Sequence, residues 1–112
     1  MKATVVILAA FMLLLAALPA AAATPSIKGI VGPGETIKMS LKPKRAGTYK
    51  LIVQDRSSEH NFHLRGPGVN VATGVGFTGT KTFTVKLRAG KTYRFVCDPH
   101  ADDMRSSFKV PA

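Results

Sequence analysis

Residues 24–112 are predicted to form one all-β domain, a Greek-key β-sandwich or barrel. Three observations lead there. The segment has no helical period. It has short runs in which apolar and polar residues alternate, and glycine or proline separates those runs at regular intervals. Many short, evenly spaced strands with turn signals suggest antiparallel sheets joined by Greek-key links. The length suits a single domain with one modest core.

The elements follow in order. The run 36–41 alternates, with Ile37, Met39 and Leu41 on one face. Gly47 opens a second run in which Tyr49, Leu51 and Val53 point together. Gly66-Pro67-Gly68 signals a turn. The run 80–87 places Phe83, Val85 and Leu87 inward and Lys81, Thr84 and Lys86 outward. Ala89-Gly90-Lys91 is a tight connection into 92–97, and Phe108 and Val110 close the chain.

The first 23 residues read differently. Lys2 precedes an almost wholly apolar run, 4–18. Pro19 breaks it, and Ala21-Ala22-Ala23 offers a small-residue cleavage site. This is the pattern of a secretory signal peptide, expected to be cleaved before Thr24. The run is short for a membrane anchor, which needs about 20 apolar residues. The mature protein is therefore expected to be exported, in a periplasmic or extracytoplasmic compartment, and metal would be loaded after export.

The chain carries 16 Lys and Arg against 6 Asp and Glu, a formal net charge of +10. Basic composition often marks nucleic-acid binding, but export argues against such a partner, and the cations are scattered singly. A solvated surface, or steering toward an acidic protein or an anionic envelope surface, fits better. Nothing in the sequence argues against a monomer.

The single cysteine, Cys97, cannot form an internal disulfide. In an oxidising compartment a lone cysteine is a liability or a ligand. His100 and Met104 follow it closely, and His60-Asn61-Phe62-His63 lies upstream. A thiolate, two imidazoles and a weak axial thioether make the donor set of a trigonal electron-transfer copper site. Strand phase selects among the donors. Tyr93, Phe95 and Cys97 share a face, which puts the sulfur at the end of a core-facing row. His60 shares the face of Phe62 and Leu64, whereas His63 is expected to face solvent or bond locally. Met104 falls in phase with Ser106, Phe108 and Val110, which can direct it back toward the site. Asn61 is placed to bond the cysteine loop and hold two distant segments in register. His100, beside Pro99 on an exposed loop, offers the natural electron portal.

The sequence resembles the cupredoxins, the small blue copper proteins of the plastocyanin and amicyanin group. The matching residues are Gly47-Thr48-Tyr49, His60-Asn61-Phe62-His63-Leu64 with Gly66-Pro67-Gly68 after it, and Phe95-Val96-Cys97-Asp98-Pro99-His100 with Met104 and Ser107-Phe108. They span nearly all of 24–112. The resemblance implies a Greek-key sandwich, one type 1 copper ion cycling between Cu(I) and Cu(II), and one-electron transfer between redox proteins such as cytochromes or oxidoreductases. It implies His60, Cys97, His100 and Met104 as ligands. The loop departs from the pattern. Three residues separate His100 from Met104, where plastocyanin-like loops usually have four and amicyanin-like loops two. Arg105-Ser106 stands where glycine is common, and Asp102-Asp103 replaces small or apolar residues.

The expected function is thus an exported carrier of single electrons. The alternative is a copper-binding protein for scavenging, delivery or sensing, against which the lack of Met-rich or His-rich stretches argues. No catalytic role is expected, because 3 histidines cannot serve this site and a second copper cluster. Zinc is not excluded by the ligands.

Overall fold

The computed structural model describes residues 2–6, 9, 10, 12, 13 and 23–112. Of the predicted export segment, residues 1, 7, 8, 11 and 14–22, which include the predicted cleavage region, lie outside the described ones. Among the described residues no helix is long and apolar enough to cross a membrane.

The described chain builds eight strands: β1 (Ser26–Val31), β2 (Ile37–Leu41), β3 (Gly47–Asp55), β4 (His63–Gly66), β5 (Val69–Ala72), β6 (Gly79–Leu87), β7 (Thr92–Val96) and β8 (Arg105–Lys109). One turn of 3-10 helix, Asp98–His100, interrupts the β7–β8 connection. The strands form two four-stranded sheets, ordered β2-β1-β3-β6 and β5-β4-β7-β8. The pairing of β1 with β3 is parallel, and all other pairings are antiparallel. The protein is a two-sheet β-sandwich.

The alternating runs produce the strands as expected. Tyr49, Leu51 and Val53 of β3 and Val85 and Leu87 of β6 are buried. One position differs. Leu41, predicted inward, is exposed: the register of β1 with β2 shifts between Gly29↔Met39 and Lys28↔Leu41, and this bulge turns Leu41 out of phase with Met39. Lys81 is exposed as expected, with its ammonium 5.6 Å from the Phe83 ring centroid. Strands β1 and β5 have no counterpart in the sequence reading. Gly29 interrupts the apolar pattern of β1, and β5 is only four residues long.

The inner face of the second sheet is lined by aromatic pairs. Phe62 stacks on Phe95 at 5.4 Å, and Tyr93 stacks on Phe108 at 5.7 Å, the offset geometry that aromatic pairs favour. Gly29 in β1 is what lets Phe62 approach the opposite sheet. A Cβ there would lie 2.5 Å from the Phe62 ring. A close-packed interior cannot absorb such an overlap without movement of the ring, so Gly29 sets the position of the residue two beyond His60.

Candidate metal centre

The register of β4 with β7 brings the donors together. His63 pairs with Val96 in this antiparallel ladder. Continuing the pairing past the strand ends sets Phe62 beside Cys97 and Asn61 beside Asp98. The hydrogen bonds follow that extension. Asp98 N–H donates to Asn61 Oδ1 at 2.7 Å, and Asn61 Nδ2 donates to Asp98 Oδ2 at 2.8 Å. Two segments 37 residues apart in sequence are thereby locked.

His60, Cys97 and His100 converge beyond that lock, and their donor atoms form a candidate metal site. The two Nδ1 atoms lie 3.0 Å apart, and Cys97 Sγ is 3.6 Å from each. A point equidistant from all three is about 2.0 Å from each, against typical bonds of about 2.0–2.1 Å to imidazole and about 2.3 Å to thiolate. The residues present therefore fit a three-coordinate ion without rearrangement. His60 and Cys97 are buried, and His100 is half-buried, so the cluster opens to solvent on one side through that ring.

Met104 is also buried. Its backbone closes the loop on both neighbours: Met104 N–H donates to His100 O at 2.8 Å, and Cys97 N–H donates to Met104 O at 2.9 Å. The 3-10 turn between them starts at Asp98, with Pro99 restricting its first residues. His100 is thus returned toward Cys97 by hydrogen-bonded backbone.

The upstream donor is braced from the other sheet. Asp55, the last residue of β3, is buried. Its carboxylate accepts from Ser57 N–H at 3.1 Å and from Thr73 Oγ1–H at 3.2 Å. Thr73 Oγ1 accepts from Phe62 N–H at 2.9 Å, and Thr73 O accepts from Asn61 Nδ2 at 3.1 Å. Asn61 N–H points at Cys97 Sγ, 3.4 Å away. Burial pushes the Asp55 carboxyl up from its ordinary value, partly offset by those hydrogen bonds and by His60. Neither Asp55 nor Thr73 was singled out in the sequence. A lone Asp at a strand end carries no signal until the second sheet is laid over it.

His63 is brought to Asp98 rather than to solvent. It is buried, with Nδ1 donating to Asp98 Oδ1 at 2.8 Å. Its Nε2 lies 2.6 Å from Asn70 Oδ1 and 2.9 Å from Arg65 Nε. A neutral ring accepts from Arg65 there, and a protonated ring donates to Asn70. Of the two expected outcomes for His63, local bonding holds and solvent exposure does not: strand phase turns it to the outer face of the sheet, where Arg65, Asn70 and Asp98 cover it. His63→Ala is expected to retain one metal equivalent with an unchanged spectrum and to destabilise the fold by about 1–2 kcal/mol. Metal titration and urea unfolding read the two effects separately. Loss of the metal would move the ligand role from His60 to His63.

Asp98 has a definite pH signature. Burial opposes its ionised form. The hydrogen bonds from Asn61 and His63, with the nearby charges of His63 and Arg65, outweigh that and hold the carboxyl below its ordinary value. A depressed folded value means that the contribution to stability is present above the unfolded value of about 3.9 and is lost as pH falls through the folded one. The stability advantage of the parent over Asp98→Asn is therefore expected to grow from about pH 2 to about pH 6. An advantage that stays flat in urea unfolding across that range would contradict this.

Comparison with protein-family models and with curated proteins finds no match for this chain. Fold and site together define a two-sheet β-sandwich that gathers His60, Cys97 and His100 into a cluster able to hold a metal ion.

Proposed function

We propose that this protein is a cupredoxin-like, Greek-key type 1 copper protein that carries single electrons between redox partners outside the cytoplasm. The observation that carries this reading is the triangle of two imidazole nitrogens and one thiol sulfur, already at bonding separation from a common centre. Two histidines and one cysteine in trigonal array, with a methionine closing the loop, are the ligand chemistry of electron-transfer copper. Bound copper supplies a one-electron couple.

The protein residues do the rest. Cys97 is the thiolate donor, and the Asn61 N–H aimed at its sulfur is the kind of contact that tunes potential. His60 and His100 are held in place by two hydrogen-bonded segments and would offer their Nδ1 atoms to the metal. His60 and Cys97 are shielded from water, and His100 alone among the three reaches the surface. That ring is the point of exchange with a partner. Met104 would supply the thioether donor of that ligand set, and Asn61 and Pro99 fix the loop.

The test is a visible absorption and electron paramagnetic resonance spectrum after addition of one equivalent of Cu(II). An intense blue or green charge-transfer band with narrow copper hyperfine splitting is expected. A weak, ordinary Cu(II) spectrum would overturn the carrier reading and leave copper handling.

A further inference from the structure

The two sheets sort their cations by type. The strands of the first sheet carry Lys28, Lys38, Lys50, Lys81 and Lys86 and no arginine. Those of the second carry Arg65, Arg94 and Arg105, with Lys109 at the end of β8. A solvated surface has no use for this division. Arginine offers a planar fork of donors that binds carboxylates bidentately, whereas lysine is a hydrated point charge.

Register sharpens the point. Arg65 and Arg94 are directly paired across β4 and β7, and like charges at opposed positions destabilise a sheet. Arg105 pairs with Val96, one step along the same outer face from Arg94. All three are exposed, and together they line a groove of about 600 Å³. Among the described residues the one close ion pair is His63–Asp98, so none of these guanidiniums has a carboxylate at salt-bridge distance. Asp98 and Asp102 also line the groove.

The groove abuts the candidate metal centre. Val96, in its lining, immediately precedes Cys97, and Arg105 immediately follows Met104. The exposed large apolar residues, Leu41, Val75 and Phe77 in the folded domain, are not among its lining residues, and its one apolar side chain larger than alanine, Val96, is half-buried, so it lacks the exposed apolar surface that a bilayer would take up. We propose that the outer face of β4, β7 and β8 docks an acidic protein, the redox partner, with carboxylates over Arg65, Arg94 and Arg105. The two aspartates in the lining call for neutral or basic groups on the partner where it faces them. This rests on the electron-carrier reading, and it names the partner chemistry that reading lacks.

The experiment uses a soluble oligoglutamate peptide as probe at low ionic strength, with the metal-free and the copper-loaded protein. Binding followed by nuclear magnetic resonance should move the side-chain Nε–H signals of the three arginines. The triple variant Arg65→Gln, Arg94→Gln, Arg105→Gln should weaken binding at least about tenfold, from loss of charge-assisted pairs. A charge-matched control, Lys28→Gln, Lys50→Gln, Lys86→Gln, should weaken it less than about twofold by screening arguments alone. The double variant Arg94→Gln, Arg105→Gln leaves the Arg65–His63 contact in place and should still lose several-fold if the triple variant folds poorly. Equal losses in the arginine and lysine variants would overturn the proposal. So would tighter arginine-dependent binding to phosphatidylglycerol vesicles than to the peptide. The metal-free measurement separates failure of docking from failure of the copper reading.

Discussion

Cys97→Ser is expected to abolish the intense visible band of the copper-loaded protein while the sandwich stays folded. The band requires a thiolate, and Cys97 is the only cysteine. Its sulfur is equidistant from both imidazole nitrogens and shielded from water. A serine hydroxyl is a hard, protonated donor at neutral pH and cannot supply that transition. It can still take the Asn61 N–H, so burial of the hydroxyl is expected to destabilise the fold by only about 1–2 kcal/mol. Absorption spectroscopy with a thermal melt on the same sample checks both halves. A retained blue band would remove Cys97 from the site.

Asn61→Ala is expected to have the largest effect of any substitution outside the donor triangle. Its buried amide makes three hydrogen bonds, two to Asp98 and one to Thr73. Truncation leaves Thr73 O and Asp98 N–H without these partners and opens a small cavity where β4 and β7 diverge. Unmade buried hydrogen bonds cost about 1–3 kcal/mol each, and water reaches the Asp98 side, so a loss of about 3 kcal/mol follows. In a domain of this size that lowers Tm by about 15 °C. Metal affinity should fall about tenfold to a hundredfold, because His60 and Cys97 lose their common tether. Circular dichroism melts and chelator competition measure the two. An unchanged melt would show that the strand ladder alone holds the loops in register.

The effects of both substitutions depend on features with different visibility in the sequence. The alternation in 47–55 and 80–87 announces strands because a residue's face depends only on its parity. The same parity marks Cys97 as the end of the row begun by Tyr93 and Phe95. Short or interrupted strands such as β1 and β5 give too few alternations to read. The bulge that turns Leu41 outward arises in the pairing of β1 with β2 and not in the alternation of the strand itself.

The His60-Asn61-Phe62-His63 segment shows where parity fails. All four residues are buried, although two were expected on an outer face. The outer face there is itself covered, by Arg65 of β4 and Asn70 of β5 and by Asp98 from the loop after β7. Coverage of this kind joins residues 35 apart, as in His63–Asp98, and no local pattern encodes it.

By itself, then, the sequence determined the residue types that can ligate a soft metal, their place at strand ends, and the all-β class, because donor chemistry and side-chain parity are local. Only the tertiary structure decided that three donors stand at bonding distance from one centre, that Asp55 from the opposite sheet braces them through Thr73, and that the arginines share one face. Those depend on strand order and sheet packing, which arise from contacts between residues far apart along the chain.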